Sequence, residues 1–263
     1  MNKIERTYLN FVLTISAFVA LFLISQNWKN QLTLDNVVVY DTRILGPDEI
    51  KALADLSSGR PLFAVSLSDV SKRVEKNPFV KQAIVVRAIP YDLTITIRER
   101  NPIGLVAASG QVLSVDDAGI ILPLPLGRKN DLPVITNVYS SVQVGDTAKG
   151  SLMQAVKFLT DAKRISPSIS AGISEVRLAG DGLVAYTTSA SLPVFIGKND
   201  FDRKLLYLQE FFLKLAAGGL QCSYVDLRYN GQIIVGTDSE SSLEKVSSEA
   251  VASQSRGSAG KVN

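Results

Sequence analysis

The stretch from residue 77 to residue 102 constrains the fold more than any other part of the chain. It contains an apolar run over 80–88, a turn that includes Pro90, and a segment over 93–98 in which apolar and polar residues alternate. Strict alternation with β-branched residues is typical of a half-buried strand. Proline also suits the connecting turn, because its backbone angle is already fixed. The stretch therefore predicts a β-hairpin.

The residues before this hairpin extend it into a small α+β domain over 32–101. A strand is predicted at 34–40, and a helix begins at Pro47, a residue type that suits the first helical position. We expect Ser68 to cap a second, amphipathic helix. The resulting order β-α-α-β-β predicts a three-stranded sheet with two helices on one face.

The second part of the chain, 102–237, predicts a mixed β-rich domain with two helices, at 152–164 and 201–217. Asn230-Gly231 is typical of a two-residue hairpin turn and predicts paired strands within 223–236. The apolar face of the 201–217 helix could bind a partner, but the nearby strands need covering, so we expect it in the core. The other strands are predicted at 103–108, 111–115, 120–122, 132–135, 175–178, 183–187 and 194–196.

The two ends of the chain differ from these domains. Residues 7–28 carry no charge and predict a transmembrane helix, since a span needs about 20 mostly apolar residues. A cleaved signal peptide is the alternative, although its apolar core would be shorter. Lys3 and Arg6 favour a cytoplasmic stub over 1–6 and place the bulk of the chain outside the cytoplasm. The Ser-rich tail, 238–263, is predicted to be disordered.

Composition excludes several kinds of chemistry. The chain has no histidine, so imidazole zinc sites and serine–histidine triads are impossible. A net charge of +3 without a dense basic patch gives no reason to expect nucleic acid as a partner. Cys222 is the only cysteine, and we expect it to be a small buried residue rather than a reactive thiol.

Acidic residues at turns are the remaining candidates for chemistry. Asp116-Asp117 and Asp181 stand where Asp and Gly are preferred for backbone reasons. Ser242 and Lys245 form a Ser-x-x-Lys pattern, but in the predicted tail, where no preorganised site is expected. The charged run 98–100 is either a partner patch or a solvated strand end. We therefore predict no catalytic, cofactor-binding or metal-binding residue, no small-molecule substrate and no enzymatic activity.

A series of short motifs follows one another through the first domain. Its residues are Val37, Val39, Asp48, Glu49, Ile50, Gly59, Pro61, Leu62, Phe63, Asn77, Pro78, Phe79, Val80, Lys81, Ala83, Val85, Arg87, Pro90, Leu93, Ile95, Ile97, Glu99, Arg100 and Pro102. In this order the motifs resemble the POTRA domain of the FtsQ/DivIB cell-division family. Tyr-Val-Asp-Leu-Arg-Tyr at 224–229 is similar to the segment before that family's terminal strand, so the resemblance spans 1 to about 237.

The resemblance implies a single-pass, non-enzymatic scaffold for septum assembly in the inner membrane, with its bulk in the periplasm. It implies FtsB- and FtsL-like single-span division proteins as partners, and FtsK-like or other divisome members at the POTRA domain. Two other interpretations stay open. One is a POTRA-type chaperone or receptor for outer-membrane proteins, and the other is a membrane-anchored extracytoplasmic hydrolase that uses Asp116, Asp117 and Asp181.

The last predicted strand, 232–236, carries neither charge nor proline, the features that usually protect an open sheet edge. It is either covered internally or used for β-augmentation, in which a partner strand pairs with the open edge. The family resemblance favours β-augmentation, with side chains such as Tyr229 and Ile233 giving specificity. The predicted partner-binding residues are Tyr224, Arg228, Tyr229, Gly231, Gln232, Ile233, Ile234, Val235, Gly236 and Thr237.

Overall fold

The computed structural model describes residues 3–125, 131–218, 222–229 and 231–236. The chain divides into two compact units, Met1–Asn101 and Pro102–Asn263. The predicted tail over 238–263 lies outside the described residues.

The first unit begins with helix α1, Lys3–Gln31. Its described side chains, at 8, 10–25 and 31, are all exposed. Crossing a membrane requires a helix with about 20 predominantly apolar residues. Across the described parts of the chain, no helix combines that length with that apolar character.

The remainder of the first unit is the predicted β-α-α-β-β domain. Its sheet has the order β1-β3-β2, with β1 parallel to β3 and β2 antiparallel to β3, so the predicted hairpin is confirmed. Alternate residues of β3 are buried together with the apolar sides of α2 and α3. The elements are β1 Asn36–Tyr40, α2 Pro47–Ala54, a 3-10 turn Leu62–Ala64, α3 Leu67–Val74, β2 Val80–Ala88 and β3 Asp92–Glu99.

The residue that caps α3 differs from the sequence prediction. The cap of α3 is Ser66, whose side chain accepts a hydrogen bond from the Asp69 backbone N–H; the prediction of Ser68 was wrong. A capping residue needs an extended backbone just before the first turn, and Ser68 already lies inside the helix.

Glu99 accepts hydrogen bonds from the backbone N–H groups of residues 43, 44 and 45 at 2.8–3.0 Å. Its carboxylate therefore fastens a loop of its own domain.

The second unit contains a nine-stranded sheet with the order β12-β11-β10-β9-β8-β7-β4-β5-β6. Its strands are β4 Pro102–Ala108, β5 Gln111–Asp116, β6 Ile121–Leu122, β7 Val134–Val138, β8 Ile173–Ala179, β9 Gly182–Thr187, β10 Pro193–Gly197, β11 Tyr224–Asp226 and β12 Ile234–Gly236. Its helices are α4 Gly150–Ile165, α5 Pro167–Ala171 and α6 Phe201–Gly218.

The prediction of two helices in this unit missed α5. Ser166-Pro167 ends α4 as expected, but Pro167 also stands at the first position of α5, where its missing N–H costs nothing. Helix α6 agrees with its predicted core role, because Phe201, Leu205 and Leu208 are buried in the core of this unit. Phe158 of α4 packs edge-on against Phe201, with 5.7 Å between the ring centres.

Candidate functional site

Strand β12 lies at one end of the nine-stranded sheet, beside β11. It pairs antiparallel with β11, which in turn pairs parallel with β10. Within the described residues, no strand pairs with the outer side of β12. The predicted terminal edge is therefore present in the structure.

The turn before this edge is longer than predicted. Strand β11 ends at Asp226 and β12 begins at Ile234, so residues 227–233 connect them instead of a two-residue turn at Asn230-Gly231. Leu227 donates its backbone N–H to Phe195 of β10, and Gln232 donates to Tyr229 within the connection. These bonds direct residues on both sides of the turn away from a β11–β12 ladder. Asn230 lies outside the described residues.

The strand register identifies which backbone groups of β12 face outward. The bond from Leu227 N–H to Phe195 shows that residues 225 and 227 point their backbone groups toward β10. Asp226 therefore points toward β12, where its partner is Ile234. Because these directions alternate along a strand, Ile234 and Gly236 face β11. The backbone N–H and C=O of Val235 face outward.

A cluster of charges fastens β11 beside this edge. The buried carboxylate of Asp226 accepts hydrogen bonds from the Arg228 guanidinium at 2.6–3.1 Å and from the Arg228 backbone N–H at 2.9 Å. Arg228 also pairs with Asp181 at the β8–β9 turn. Its guanidinium lies 4.9 Å from the centre of the Phe195 ring. The cluster therefore connects the end of β11 with β10 and with the β8–β9 turn.

Asp226 alternates in the sequence with the apolar residues Val225 and Leu227, yet its side chain is buried as theirs are. Asp226 is 5% exposed because Arg228 folds back over it and satisfies both carboxylate oxygens. Burial raises the pKa of Asp226, but the hydrogen bonds and charge of Arg228 lower it further, so the net shift is downward. The same contacts raise the pKa of Arg228. Both groups are therefore charged across the physiological range.

Lys204 supports the same region from helix α6, and the sequence analysis did not single it out. Its side chain is buried, and its ammonium group donates to the Ile196 carbonyl at 2.7 Å. Burial lowers the pKa of Lys204, while the charges of Asp200 and Asp226 raise it in part. One signal was available: Lys204 stands within the apolar face formed by Phe201, Leu205 and Leu208.

The other predicted partner-binding residues lie on or near the edge. Tyr224, Tyr229 and Ile234 are 38%, 53% and 37% exposed, while Ile233 packs partly on the core. Tyr224 packs edge-on against Phe195, with 6.0 Å between ring centres. Gly231 and Gln232 are exposed, Val235 and Gly236 are half-buried, and Thr237 lies outside the described residues. Arg228 is held by its ion pairs.

The acidic residues considered for chemistry have structural partners. An oxygen of Asp116 accepts hydrogen bonds from the backbone N–H groups of Ala118 and Ile120 at 3.0 and 2.7 Å, which is how an aspartate closes a turn. Asp181 pairs with Arg228. Among the residues that the structure describes, no three Cys, Asp or Glu side chains form a group that could hold a metal.

The sequence of this chain matches models of known protein families. The family model "POTRA domain, FtsQ-type" matches residues 32–100, and "Cell division protein FtsQ/DivIB, C-terminal" matches residues 98–228. Cell division protein FtsQ of Rhodothermus marinus is 30% identical over 253 residues, which cover 93% of this chain and 92% of the relative. This chain belongs to the FtsQ/DivIB cell-division family.

A second relative and one solved structure are also similar to this chain. FtsQ of Geotalea daltonii is 30% identical over 206 residues, covering 77% of this chain and 74% of the relative. Among solved structures, the major extracytoplasmic domain of DivIB from Geobacillus stearothermophilus matches with a TM-score of 0.32 and 16% identity, over 46% of this chain and 98% of that one. The C-terminal family match ends at residue 228, so β12 lies beyond it.

Proposed function

We propose that this protein is a non-enzymatic scaffold of septum assembly whose strand β12 captures a partner strand by β-augmentation. The outward-facing N–H and C=O of Val235 carry the proposal, because they offer main-chain hydrogen bonds that β11 cannot use. An FtsB-like single-span division protein is the expected partner, with an FtsL-like protein joined to the same complex. Recognition then needs affinity and position, and no catalytic group.

The side chains around Val235 support this use of the edge. Tyr224 and Ile234 stand on one face of the sheet, and Tyr229 stands in the adjoining connection; all three are partly exposed. Tyrosine is enriched among the residues that dominate binding energy at interfaces. Arg228 contributes by fixing β11 through Asp226 and Asp181, so we assign it a positioning role.

The POTRA unit is proposed as a second docking module, for FtsK-like or other divisome proteins. Tyr40 of β1 and Ile84 and Val86 of β2 are exposed apolar side chains on its sheet. Exposed apolar groups that lie close together are characteristic of interaction sites. The module needs no active site for this purpose.

We further propose that α1 attaches the protein to the inner membrane. Phe11, Phe18 and Leu21 are among its exposed large apolar residues, and residues 7–28 include no charge. After washing of membranes at alkaline pH, we expect the protein to stay in the pellet, and release into the supernatant would contradict attachment. A reporter fused after Asn263 should be active outside the cytoplasm, whereas cytoplasmic activity would reverse the topology.

The substitution Val235→Pro tests the edge directly. Proline removes the outward N–H, so at least one intermolecular hydrogen bond of about 1 kcal/mol is lost, which predicts roughly a fivefold weaker affinity or more. Binding to an FtsB-like partner is measured with purified full-length protein. Affinity equal to that of the wild type would exclude pairing through Val235.

Two matched variants complete this experiment. Val235→Thr keeps both β-branching and the N–H and exchanges one methyl group for a hydroxyl on a half-buried side chain, so partner affinity should remain within about twofold. Ile234→Pro removes an N–H that faces β11, and we expect it to disturb β12 itself, visible as faster hydrogen exchange there. If Val235→Thr weakened binding as much as Val235→Pro, side-chain packing rather than strand pairing would explain capture.

A further inference from the structure

The first unit exposes three large apolar side chains on two turns of its POTRA domain. Ile89 and Tyr91 stand in the turn between β2 and β3 and are 65% and 45% exposed. Phe63, in the 3-10 turn before α3, is 38% exposed. We call these three side chains the α1-side patch. Single exposed apolar residues are common, but several that lie close together favour a covering partner.

Backbone hydrogen bonds place both turns of the patch beside the end of α1. The residue that follows this helix, Leu32, accepts a hydrogen bond from the Leu62 N–H at 2.7 Å. Three residues later, Asp35 donates its N–H to the Tyr91 carbonyl at 2.8 Å. Helix α1 itself contacts the 3-10 turn. The segment 32–35 is therefore bonded to both turns, and the patch surrounds the point where α1 enters the domain.

Arg87 of β2 holds the two turns in a fixed relation. Its guanidinium donates to the carbonyl groups of Leu62 and Val65 at 3.1 and 2.7 Å. It also lies 5.3 Å from the centre of the Phe63 ring. Because β2 runs directly into the turn that carries Ile89, these contacts brace the patch before any partner binds. A surface that is already ordered loses little conformational freedom on binding.

The side chains at this end suit the surface of a phospholipid bilayer. Tyrosine is enriched where membrane meets water, and exposed apolar side chains can bury themselves at the boundary between headgroups and acyl chains. Arg60 is exposed and is fixed at this end through its carbonyl, which accepts from the Leu34 N–H at 2.8 Å. Its guanidinium is of the type that binds phosphate. Asp35 is also exposed here, so apolar insertion supplies more of the attraction than net charge.

We propose that the α1-side patch rests on the phospholipid bilayer, with Ile89 and Tyr91 at the level of the headgroups and Arg60 beside lipid phosphates. The inference rests on the proposed attachment of α1 to the membrane, which keeps the adjoining patch within reach of lipid. The contact restricts rotation of the POTRA domain about the end of α1. It thereby keeps Tyr40, at the other end of β1, directed away from the bilayer.

Tryptophan fluorescence of the full-length protein in vesicles of phosphatidylcholine and phosphatidylglycerol tests this contact. The chain has one tryptophan, so Trp28→Phe with Ile89→Trp leaves a single emitter, in the patch. Lipids brominated on their acyl chains should quench most of its emission. Trp28→Phe with Tyr40→Trp is the matched control, because Tyr40 is 54% exposed but stands about 13 Å along β1 from Asn36. Its emission should stay nearly unchanged.

Sedimentation of the same vesicles separates this inference from the attachment of α1. Protein that does not sediment with the vesicles would contradict attachment and, with it, the contact. If the protein sediments but Ile89→Trp is quenched no more than Tyr40→Trp, the contact is overturned and attachment stands. Shielding of Ile89→Trp from aqueous acrylamide without quenching by lipid would also overturn the contact, because a second copy of the chain would then cover the patch.

A probe on the other turn tests whether the patch acts as one surface. Phe63→Trp, again with Trp28→Phe, should be quenched by brominated lipid. Adding Ile89→Asp and Tyr91→Ser should lower this quenching, since burial of an exposed isoleucine favours the bound orientation roughly tenfold. Ile84→Asp, at an exposed position within β2, is the matched control and should leave it unchanged. Undiminished quenching in a variant with a normal thermal unfolding midpoint would overturn a joint contact.

Discussion

At the scale of single residues, Arg228 matters more for the position of the edge than for contact with a partner. Its guanidinium satisfies Asp226, which is buried, and reaches Asp181 on a neighbouring turn. A motif residue within Tyr-Val-Asp-Leu-Arg-Tyr thus has a structural explanation that the sequence pattern alone did not reveal. The pattern showed a charged pair two positions apart, and only the fold shows that the two side chains turn toward each other.

The substitution Arg228→Met should destabilise the protein at neutral pH. It leaves the Asp226 carboxylate buried without its main donor, and the expected cost is about 1–3 kcal/mol in the free energy of unfolding. Urea unfolding measures this change. Arg203→Met, on the exposed side of α6, is the matched control and should stay within about 0.5 kcal/mol of the wild type. A loss no larger than that of the control would show that Asp226 tolerates burial without Arg228.

The same pair predicts a pH dependence. The folded-state pKa of Asp226 is lowered, so its contribution to stability is present above the ordinary aspartate pKa of about 3.9 and is lost as the pH falls through the lower folded value. In Arg228→Met, protonation of Asp226 removes the unpaired charge. Burial without Arg228 raises the folded pKa of Asp226 in the variant, so the stability difference between wild type and variant should shrink as the pH falls from neutral through that raised pKa toward the lowered pKa of the wild type. A difference that stayed constant from pH 7 to pH 3 would contradict this role of the pair.

At the scale of elements, the sequence predicted correctly those strands and turns that short-range patterns determine. The hairpin β2–β3 follows from alternation over 93–98 and from the turn at Pro90, and both strands formed as expected. The terminal pair β11–β12 was predicted to be longer, because Asn230-Gly231 has a strong turn preference. There the bond from Leu227 to Phe195 of β10 outweighs the local preference, and such long-range pairing leaves no trace in the sequence. The identity of Val235 as the outward-facing residue depended on it.

Strand β12 also depends on a close approach at Gly236. A Cβ atom placed there would lie 2.2 Å from the ring of Tyr224, so Gly236→Ala must displace the ring from Phe195 or move the strand. We expect a loss of about 1–3 kcal/mol in stability, as for other overpacked sites, with faster hydrogen exchange in β11 and β12. Gly180→Ala is the matched control, since nothing lies within 4 Å of its added methyl group.

A double substitution tests whether the Tyr224 ring is the group that a side chain at position 236 would displace. Combining Gly236→Ala with Tyr224→Ala removes the ring that the new methyl group meets, so the second substitution should cost less in the Gly236→Ala background than alone. Purely additive losses would show that the Tyr224 ring is not the group that Gly236 accommodates.

At the scale of the whole molecule, the chain has two compact units, each with its own buried core. Composition and the missing histidine excluded whole classes of chemistry from the sequence alone, and the ordered motifs identified the family. Composition and motifs could not predict which charged side chains hold each unit together. Glu99 binds the 43–45 loop within the first unit, and Arg228 and Lys204 brace β10 and β11 within the second.

Because each unit buries its own core, a core defect should remain within the unit that carries it. Leu93 and Ile135 are fully buried in the first and second units respectively, so each substitution by alanine should cost about 2–5 kcal/mol. Hydrogen exchange of the full-length protein should show that Leu93→Ala loosens only residues 32–101 and that Ile135→Ala loosens only the second unit. Partner capture through β12 should consequently survive Leu93→Ala and weaken in Ile135→Ala. Loosening of both units by either substitution would mean that the protein unfolds as one cooperative body.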